Sequence, residues 1–414
     1  MSDDPLGGDS WYVDSPAVGT GLQPRPCGDD LRPAQPAAAA DPIAVAFSGG
    51  GFRATLASLG VVRLLADIGR LGDVRYVSSV SGGSVANGLL AVAWPKLRAR
   101  AYTSAAVDDL VIDPFVRRIS RRSLKMSLIL GVWRTIGPRN RTDLLARRFD
   151  SWFYRKQQLD ALDPEVRWIV NAANLVSGAR FTFERDVVGD YTVGLAPTAG
   201  SGLRLSTAVA ASAAVPGAFA PLRLKKIAFP CATERPALLD GGAYDNTGLE
   251  AIDSDRYRHT FLVALNSGGL LRPGGYGKIP LVKELARANS LLYRQSTALR
   301  TRSMVERFGR AALVPAGTAL PEGARRGVLT GLATRFPDEP GRGDGRLAEW
   351  RAAHAEIVEH DGSHLATVPT VFDALDEPLC RALIHRGWWL TGAAIACYHP
   401  DGLPDPATIE SPPR

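Results

Sequence analysis

Three short runs of the chain carry residue types that could do acyl-transfer chemistry. Ser81-Gly82-Gly83 follows the apolar run ending at Val80, so Ser81 stands on a tight strand-to-helix turn. Asp240-Gly241-Gly242 ends the apolar run Ala237-Leu238-Leu239 and puts a carboxylate where backbone can pass close to it. Ser48-Gly49-Gly50-Gly51-Phe52-Arg53 is a glycine turn that aims N–H groups at a developing negative charge, with the Arg53 cation nearby. Together they suit a serine nucleophile with an aspartate base and an oxyanion hole at Gly49, Gly50 and Gly51.

Each run also has a plainer reading. Gly49, Gly51 and Ala54 fit a loose dinucleotide-binding fingerprint, but the next strand ends in Ser78, Ser79 and Ser81 without the ribose-binding acid. Ser79 occupies the position of the first glycine in G-x-S-x-G, while Gly83 fits on the other side, and Ser79 and Ser84 stay rivals for the nucleophile. The six histidines, His259, His354, His360, His364, His385 and His399, all fall in the C-terminal part and in no strand-end motif. Asp240 is therefore the economical base. An aspartate at its ordinary pKa of about 3.9 is a weak one, so burial has to raise it.

The elements that must position these residues can be read around them. Ile43–Phe47 and Val74–Val80 read as buried strands, each followed by a helix (54–69 and 84–94), a βαβα pattern that implies a parallel sheet. The first helix sets Ala57, Val61, Leu64, Leu65 and Ile68 on one face. Runs 166–172 and 259–265 read as further core strands, and 280–312 and 372–396 carry helical periodicity. Residues 1–40, rich in Pro, Gly, Asp and Ala, are expected to be a disordered leader, 41–400 a single catalytic domain, and 401–414 a flexible tail.

The chain has 414 residues and a formal charge of +7, with 45% hydrophobic and 22% charged residues, the balance of an ordinary globular protein. Residues 117–156 hold 12 Lys/Arg against two acids, a net +10 that leaves −3 for the remainder. They lie within a basic, aromatic-rich helical insertion spanning 95–160 and following the nucleophile helix. Arg117, Arg118, Arg121 and Arg122 are interleaved there with Leu124, Trp133, Phe149, Trp152, Phe153 and Tyr154, a pattern suited to a lid or an anionic lipid surface. A solvated insertion with its aromatics packed on the sheet is the competing reading. No nucleic-acid-binding motif accompanies the charge. Cys27, Cys231, Cys380 and Cys397 show no paired or metal-ligand spacing and read as incidental thiols of a reducing, cytoplasmic compartment. Neither a secretory leader nor an 18-residue apolar run is expected to take the chain into or across a membrane.

The wording Ser48-Gly-Gly-Gly-Phe-Arg-Ala54, Val80-Ser81-Gly82-Gly83-Ser84 and Asp240-Gly241-Gly242 resembles that of patatin-like phospholipases. It is also similar to the related cytosolic phospholipase A2 and lysophospholipase catalytic domains. Ala211–Pro221 resembles the family's Ala-Ser-x-Ala-x-Pro-x-x-Phe segment, and Asn246 falls shortly after Asp-Gly-Gly, although Thr247-Gly248 stands where proline is frequent. The resemblance implies an α/β fold, a three-layer α/β/α sandwich with a mainly parallel central sheet. It also implies hydrolysis of phospholipid or lysophospholipid acyl esters by a Ser81–Asp240 dyad without metal or cofactor. The N–H groups of Gly50 and Gly51 would hold the oxyanion, with Gly83, Gly241, Gly242 and Asn246 in support. A soluble esterase or thioesterase, or a silent lipid- or protein-binding scaffold, is the alternative.

Overall fold

The computed structural model describes residues 31–124, 141–268, 280–315, 318–336, 345–355 and 362–413. Its first strand, β1 (Ile43–Phe47), is buried along its whole length. Alternate residues of β1 face opposite layers, as strand geometry requires. Ile43, Val45 and Phe47 join one hydrophobic core, and Ala44 and Ala46 join another. On the first side lie α1 (Gly51–Asp67) and α2 (Gly82–Ala99). On the second lies the long α-helix Pro280–Ala312, which contributes Met304 and Phe308. A sheet with helices on both faces is the three-layer α/β/α arrangement expected.

The sheet has nine strands. β2 (Val74–Val80) pairs in parallel with β1 on one edge and with β3 (Arg167–Asn174) on the other. β3 continues into an antiparallel wing of β4 (Ala179–Phe183), β5 (Val187–Asp190) and β6 (Gly194–Pro197). A short β7 (Leu238–Asp240) also pairs antiparallel with β3. On the far side of β1, β8 (Phe261–Asn266) and β9 (Gly327–Gly331) complete the parallel half. The sheet is thus mixed. Its parallel half supplies the two strand-to-helix turns, and its antiparallel half brings back β7.

Helix α1 is buried all round rather than on one face. The C-terminal helix Glu377–Tyr398 lies along its outer side, and Trp388 donates its indole N–H to Asp67 Oδ2 at 2.7 Å. The insertion after α2 forms helices Asp113–Arg121 and Arg141–Phe149. Its Phe115, Phe149, Phe153 and Tyr154 are buried in the main core, and Trp152 packs against it. Here the packed-insertion reading prevails over lipid-dipping aromatics, because these rings fill the space beside Phe52 and Phe372. Trp133 and residues 125–140 lie outside the described residues.

Three further expectations change. Of the leader, residues 31–40 adopt no helix or strand, but Leu31 packs on Val187 and Leu195, and Arg75 Nε donates to Ala37 O at 3.0 Å. In the tail, Leu403 and Ile409 are buried in the core. Cys380 and Cys397 are buried thiols outside any disulfide, whereas Cys231 is disulfide-bonded, so the incidental-thiol reading fails at Cys231. No helix among the described residues is long and apolar enough to cross a membrane.

Candidate active site

Ser81 sits where β2 ends and α2 begins, with φ 51° and ψ −119°. A non-glycine residue at positive φ is uncommon and costs on the order of 1–3 kcal/mol, which the surroundings must over-determine. They do so by crowding. A Cβ on Gly82 would stand 2.0 Å from Gly51 O, and one on Gly83 would stand 2.5 Å from Phe47 O. Only glycines let the nucleophile turn and the glycine turn approach so closely. Ser79 is tolerated in place of glycine because its hydroxyl finds partners, donating to Ile169 O at 3.1 Å and accepting from Asn87 Nδ2 at 2.8 Å. Ser84 Oγ donates to Ser79 Oγ at 3.0 Å. Both rival serines are thus fully buried within a polar network.

The Ser81 hydroxyl instead donates to Asp240 Oδ2 at 2.7 Å. The topology explains how residues 159 positions apart meet. β2 pairs with Arg167–Asn171 of β3, and β7 pairs with Ala172–Asn174. Since β4 covers the opposite edge of those last residues, β7 must continue along the edge that β2 leaves. Asp240 therefore begins where Val80 stops. A Cβ on Gly241 would come within 2.4 Å of Asn171 O, so glycine is what lets the chain turn away there.

Asp240 is 5% exposed, and its other oxygen accepts the Gly242 N–H at 2.8 Å. Burial pushes the carboxyl pKa up to about 6, against the lowering effect of the Ser81 and Gly242 hydrogen bonds. A carboxylate so raised is a better base than an exposed aspartate while still ionised at neutral pH.

The three glycines of the glycine turn divide their work. Gly49 donates its N–H to Asn246 O at 2.9 Å, and a Cβ there would stand 2.0 Å from Asn246 Oδ1. Gly49 with Asn246 thus fixes the turn beside Ser81. The Gly50 and Gly51 N–H groups have no acceptor among the described residues, and Gly50 N-caps α1. They are the donors left for an anion at the head of that helix. Arg53 lies next to Gly50, but its guanidinium donates to the carbonyls of Ser267, Ala366 and Val368 and to Thr370 Oγ1. Its charge borders the turn while its hydrogen bonds hold the segment 366–370. Val371 O in turn accepts from Phe52 N at 3.1 Å.

Three contributors were given no role in the sequence, although Ser212 lies in the Ala211–Pro221 segment. Ser212 Oγ accepts the Ser81 N–H at 2.9 Å and donates to Asn171 O at 2.6 Å. Asn171 also donates through Nδ2 to Ser78 Oγ and to Ser79 O. A lone Asn in the apolar strand Ile169–Ala173 was the one signal for it. Asp245 accepts from the Thr247 and Glu250 N–H groups and lies 3.5 Å from Arg300 Nε, which fixes the loop carrying Asn246. Gly248 adopts φ 69° just after it, a conformation that proline would forbid.

A mixed α/β/α sheet with a serine at a strained strand-to-helix turn against an aspartate on the adjoining strand defines a class of hydrolase-like α/β proteins. Within it, the family model of patatin-like phospholipases matches residues 45–253, half of the sequence, and the chain belongs to that family. No curated protein sequence matches it. Among solved structures, it is similar to human GIVD cytosolic phospholipase A2 at 13% identity and a TM-score of 0.47, covering 86% of this chain and 59% of that one. The same human enzyme in complex with methyl gamma-linolenyl fluorophosphonate gives 15% identity and a TM-score of 0.43, over 86% and 58%. VipD from Legionella pneumophila gives 12% and 0.31, over 72% and 63%. The chain thus spans about three fifths of the length of these proteins.

Proposed function

We propose that the protein is a serine acyl hydrolase that cleaves fatty-acyl esters of phospholipids or lysophospholipids, with Ser81 as nucleophile and Asp240 as base. The observation that carries this reading is the 2.7 Å hydrogen bond from Ser81 Oγ to buried Asp240 beside the uncommitted N–H groups of Gly50 and Gly51. Ser81 Oγ attacks the ester carbonyl carbon as its proton passes to Asp240 Oδ2. The carbonyl oxygen takes up the negative charge against Gly50 and Gly51 N–H. Collapse breaks the C–O bond to the alcohol, which leaves with the proton from Asp240, and the acyl group stays on Ser81. Water then attacks the acyl-enzyme, Asp240 accepts its proton, and the fatty acid is released as Ser81 Oγ recovers a proton.

The direct test is hydrolysis of phospholipid and lysophospholipid vesicles, followed by mass spectrometry, in wild type and Asp240→Asn. Fatty-acid release by wild type alone supports the proposal. Turnover of only soluble esters or thioesters would replace the substrate class. Failure of folded wild type to react with a fluorophosphonate would point to a silent scaffold.

Contact with an anionic lipid surface is part of the same proposal. Exposed Arg117, Arg121, Arg122, Arg141, Arg147, Arg155 and Lys156 support it, while the buried Phe149, Phe153 and Tyr154 make the contact electrostatic. Each cation near such a surface contributes about 1 kcal/mol. Undiminished binding to phosphatidylglycerol vesicles after joint neutralisation of Arg117, Arg118, Arg121 and Arg122 would refute this part.

A further inference from the structure

Ser212 belongs to no part of the proposed chemistry, yet it sits at the junction on which that chemistry depends. It closes the helix Leu205–Ser212 and is fully buried. Its hydroxyl stands between the end of β2 and β3, taking the Ser81 N–H at 2.9 Å and giving its own proton to Asn171 O at 2.6 Å. Having spent its single proton on Asn171, Ser212 Oγ presents lone pairs to the Ser81 N–H. It links the strands as a ladder hydrogen bond would, while letting Ser81 leave the regular strand geometry.

Two residues further on, Ala214 O accepts the Asp240 N–H at 2.9 Å. One short stretch of chain thus holds the backbone amides of both Ser81 and Asp240. The Ser84 hydroxyl, 2.9 Å away, completes the buried surroundings of Ser212 Oγ. A residue at φ 51° in the nucleophile position needs such a restraint, because the conformation is unfavourable by itself.

We propose that Ser212 is a positioning residue, whose hydroxyl fixes the Ser81 backbone at the angle that aims Oγ between Asp240 and the Gly50–Gly51 turn. The proposal rests on the reading of Ser81 as the nucleophile. A misplacement of this kind costs rate rather than ground-state binding, up to about 100-fold. Ser212→Ala is expected to lower kcat and the rate of fluorophosphonate labelling about 10- to 100-fold, with KM nearly unchanged. Ser212→Thr, which keeps the hydroxyl, is expected to recover most of that loss. Val328→Ala, a buried substitution on β9, serves as a control for general destabilisation and should label at the wild-type rate.

Amide hydrogen exchange of the peptide carrying Ser81 is measured in parallel. Faster exchange at Ser81 in Ser212→Ala, with the rest of β2 unchanged, is the expected result. Wild-type labelling and exchange rates in folded Ser212→Ala would overturn the proposal. So would equal slowing in Val328→Ala, since general loosening would then account for the effect. If Ser212→Ala does not fold, Ser212→Cys takes its place: it keeps the volume but weakens both hydrogen bonds, and wild-type behaviour there is equally fatal. Should wild type itself fail to label, the nucleophile reading falls, and exchange at the Ser81 amide still decides whether Ser212 restrains it.

Discussion

Val80 and Asp240 occupy one edge of β3 in succession, Val80 opposite Asn171 and Asp240 opposite Ala172. A parallel strand ends and an antiparallel strand begins within one residue of the same neighbour. The side chains that emerge at this gap, Ser81 and Asp240, meet without a third residue between them. This handover positions the pair more rigidly than loops would, since both are anchored by backbone to a central strand.

Removing the proposed nucleophile is the first check. Ser81→Ala is expected to abolish fluorophosphonate labelling and to reduce ester hydrolysis by about 10⁴-fold or more, as loss of a nucleophile does in serine hydrolases. Its melting temperature should stay near wild type, because the side chain is small and Gly82 and Gly83 are untouched. Intact-mass spectrometry after labelling reads the outcome.

The pH profile follows from Asp240. As the proposed base, Asp240 must be ionised to take the Ser81 proton, so activity should fall as pH drops through about 6, the value to which burial raises it. A limb near pH 4, typical of an exposed aspartate, would contradict this. Initial rates on a soluble ester between pH 4 and 8 separate the two.

Stability should run the other way. In the folded chain Asp240 holds its proton up to about pH 6, whereas in the unfolded chain it releases it near its ordinary value of 3.8. Between those values the native state binds more protons, so stability declines as pH rises, and above about 6 the whole cost of burying the charge is present. At 1.36 kcal/mol per unit this is about 3 kcal/mol. Asp240→Asn is therefore expected to be inactive but more stable than wild type at pH 8, with the gain vanishing near pH 4. Thermal melts across that range test the sign.

Gly82→Ala probes the contact between the two glycine-bearing turns. The added methyl would stand 2.0 Å from Gly51 O and 2.8 Å from Gly51 N, both backbone atoms that cannot rotate away. Overpacking of this kind costs typically 1–3 kcal/mol. A lower melting temperature with a disproportionate loss of labelling rate is expected, because Gly51 carries one of the proposed oxyanion donors.

Arg53→Met tests whether Arg53 acts mainly as a tie. It would leave the carbonyls of Ser267, Ala366 and Val368 without their charged donor, at a cost of about 1–3 kcal/mol. The segment 366–371 should then become the earliest site of limited proteolysis. Unchanged cleavage there with lost activity would return Arg53 to a direct electrostatic role.

The sequence by itself determined the local pieces. Ile43–Phe47 and Val74–Val80 were legible as buried strands because their apolar runs are bounded by proline and glycine. Ser81, Asp240 and the three glycines were legible because few other residue types could occupy those turns. What tertiary structure alone decided is which residues stand opposite one another across the sheet. No periodicity reveals that β7 inherits the edge of β3 from β2, because that handover brings together Ser81 and Asp240, 159 positions apart. For the same reason Ser212 and Asn171 were invisible as partners of Ser81, and the sequence left open whether the aromatics of the insertion dip into lipid or pack on the sheet. Burial depends on what the rest of the chain brings alongside, and for Phe149 that was Phe372 from a remote stretch. Burial in the tertiary structure likewise raised the Asp240 pKa, giving an ordinary aspartate the basicity that the proposed chemistry requires.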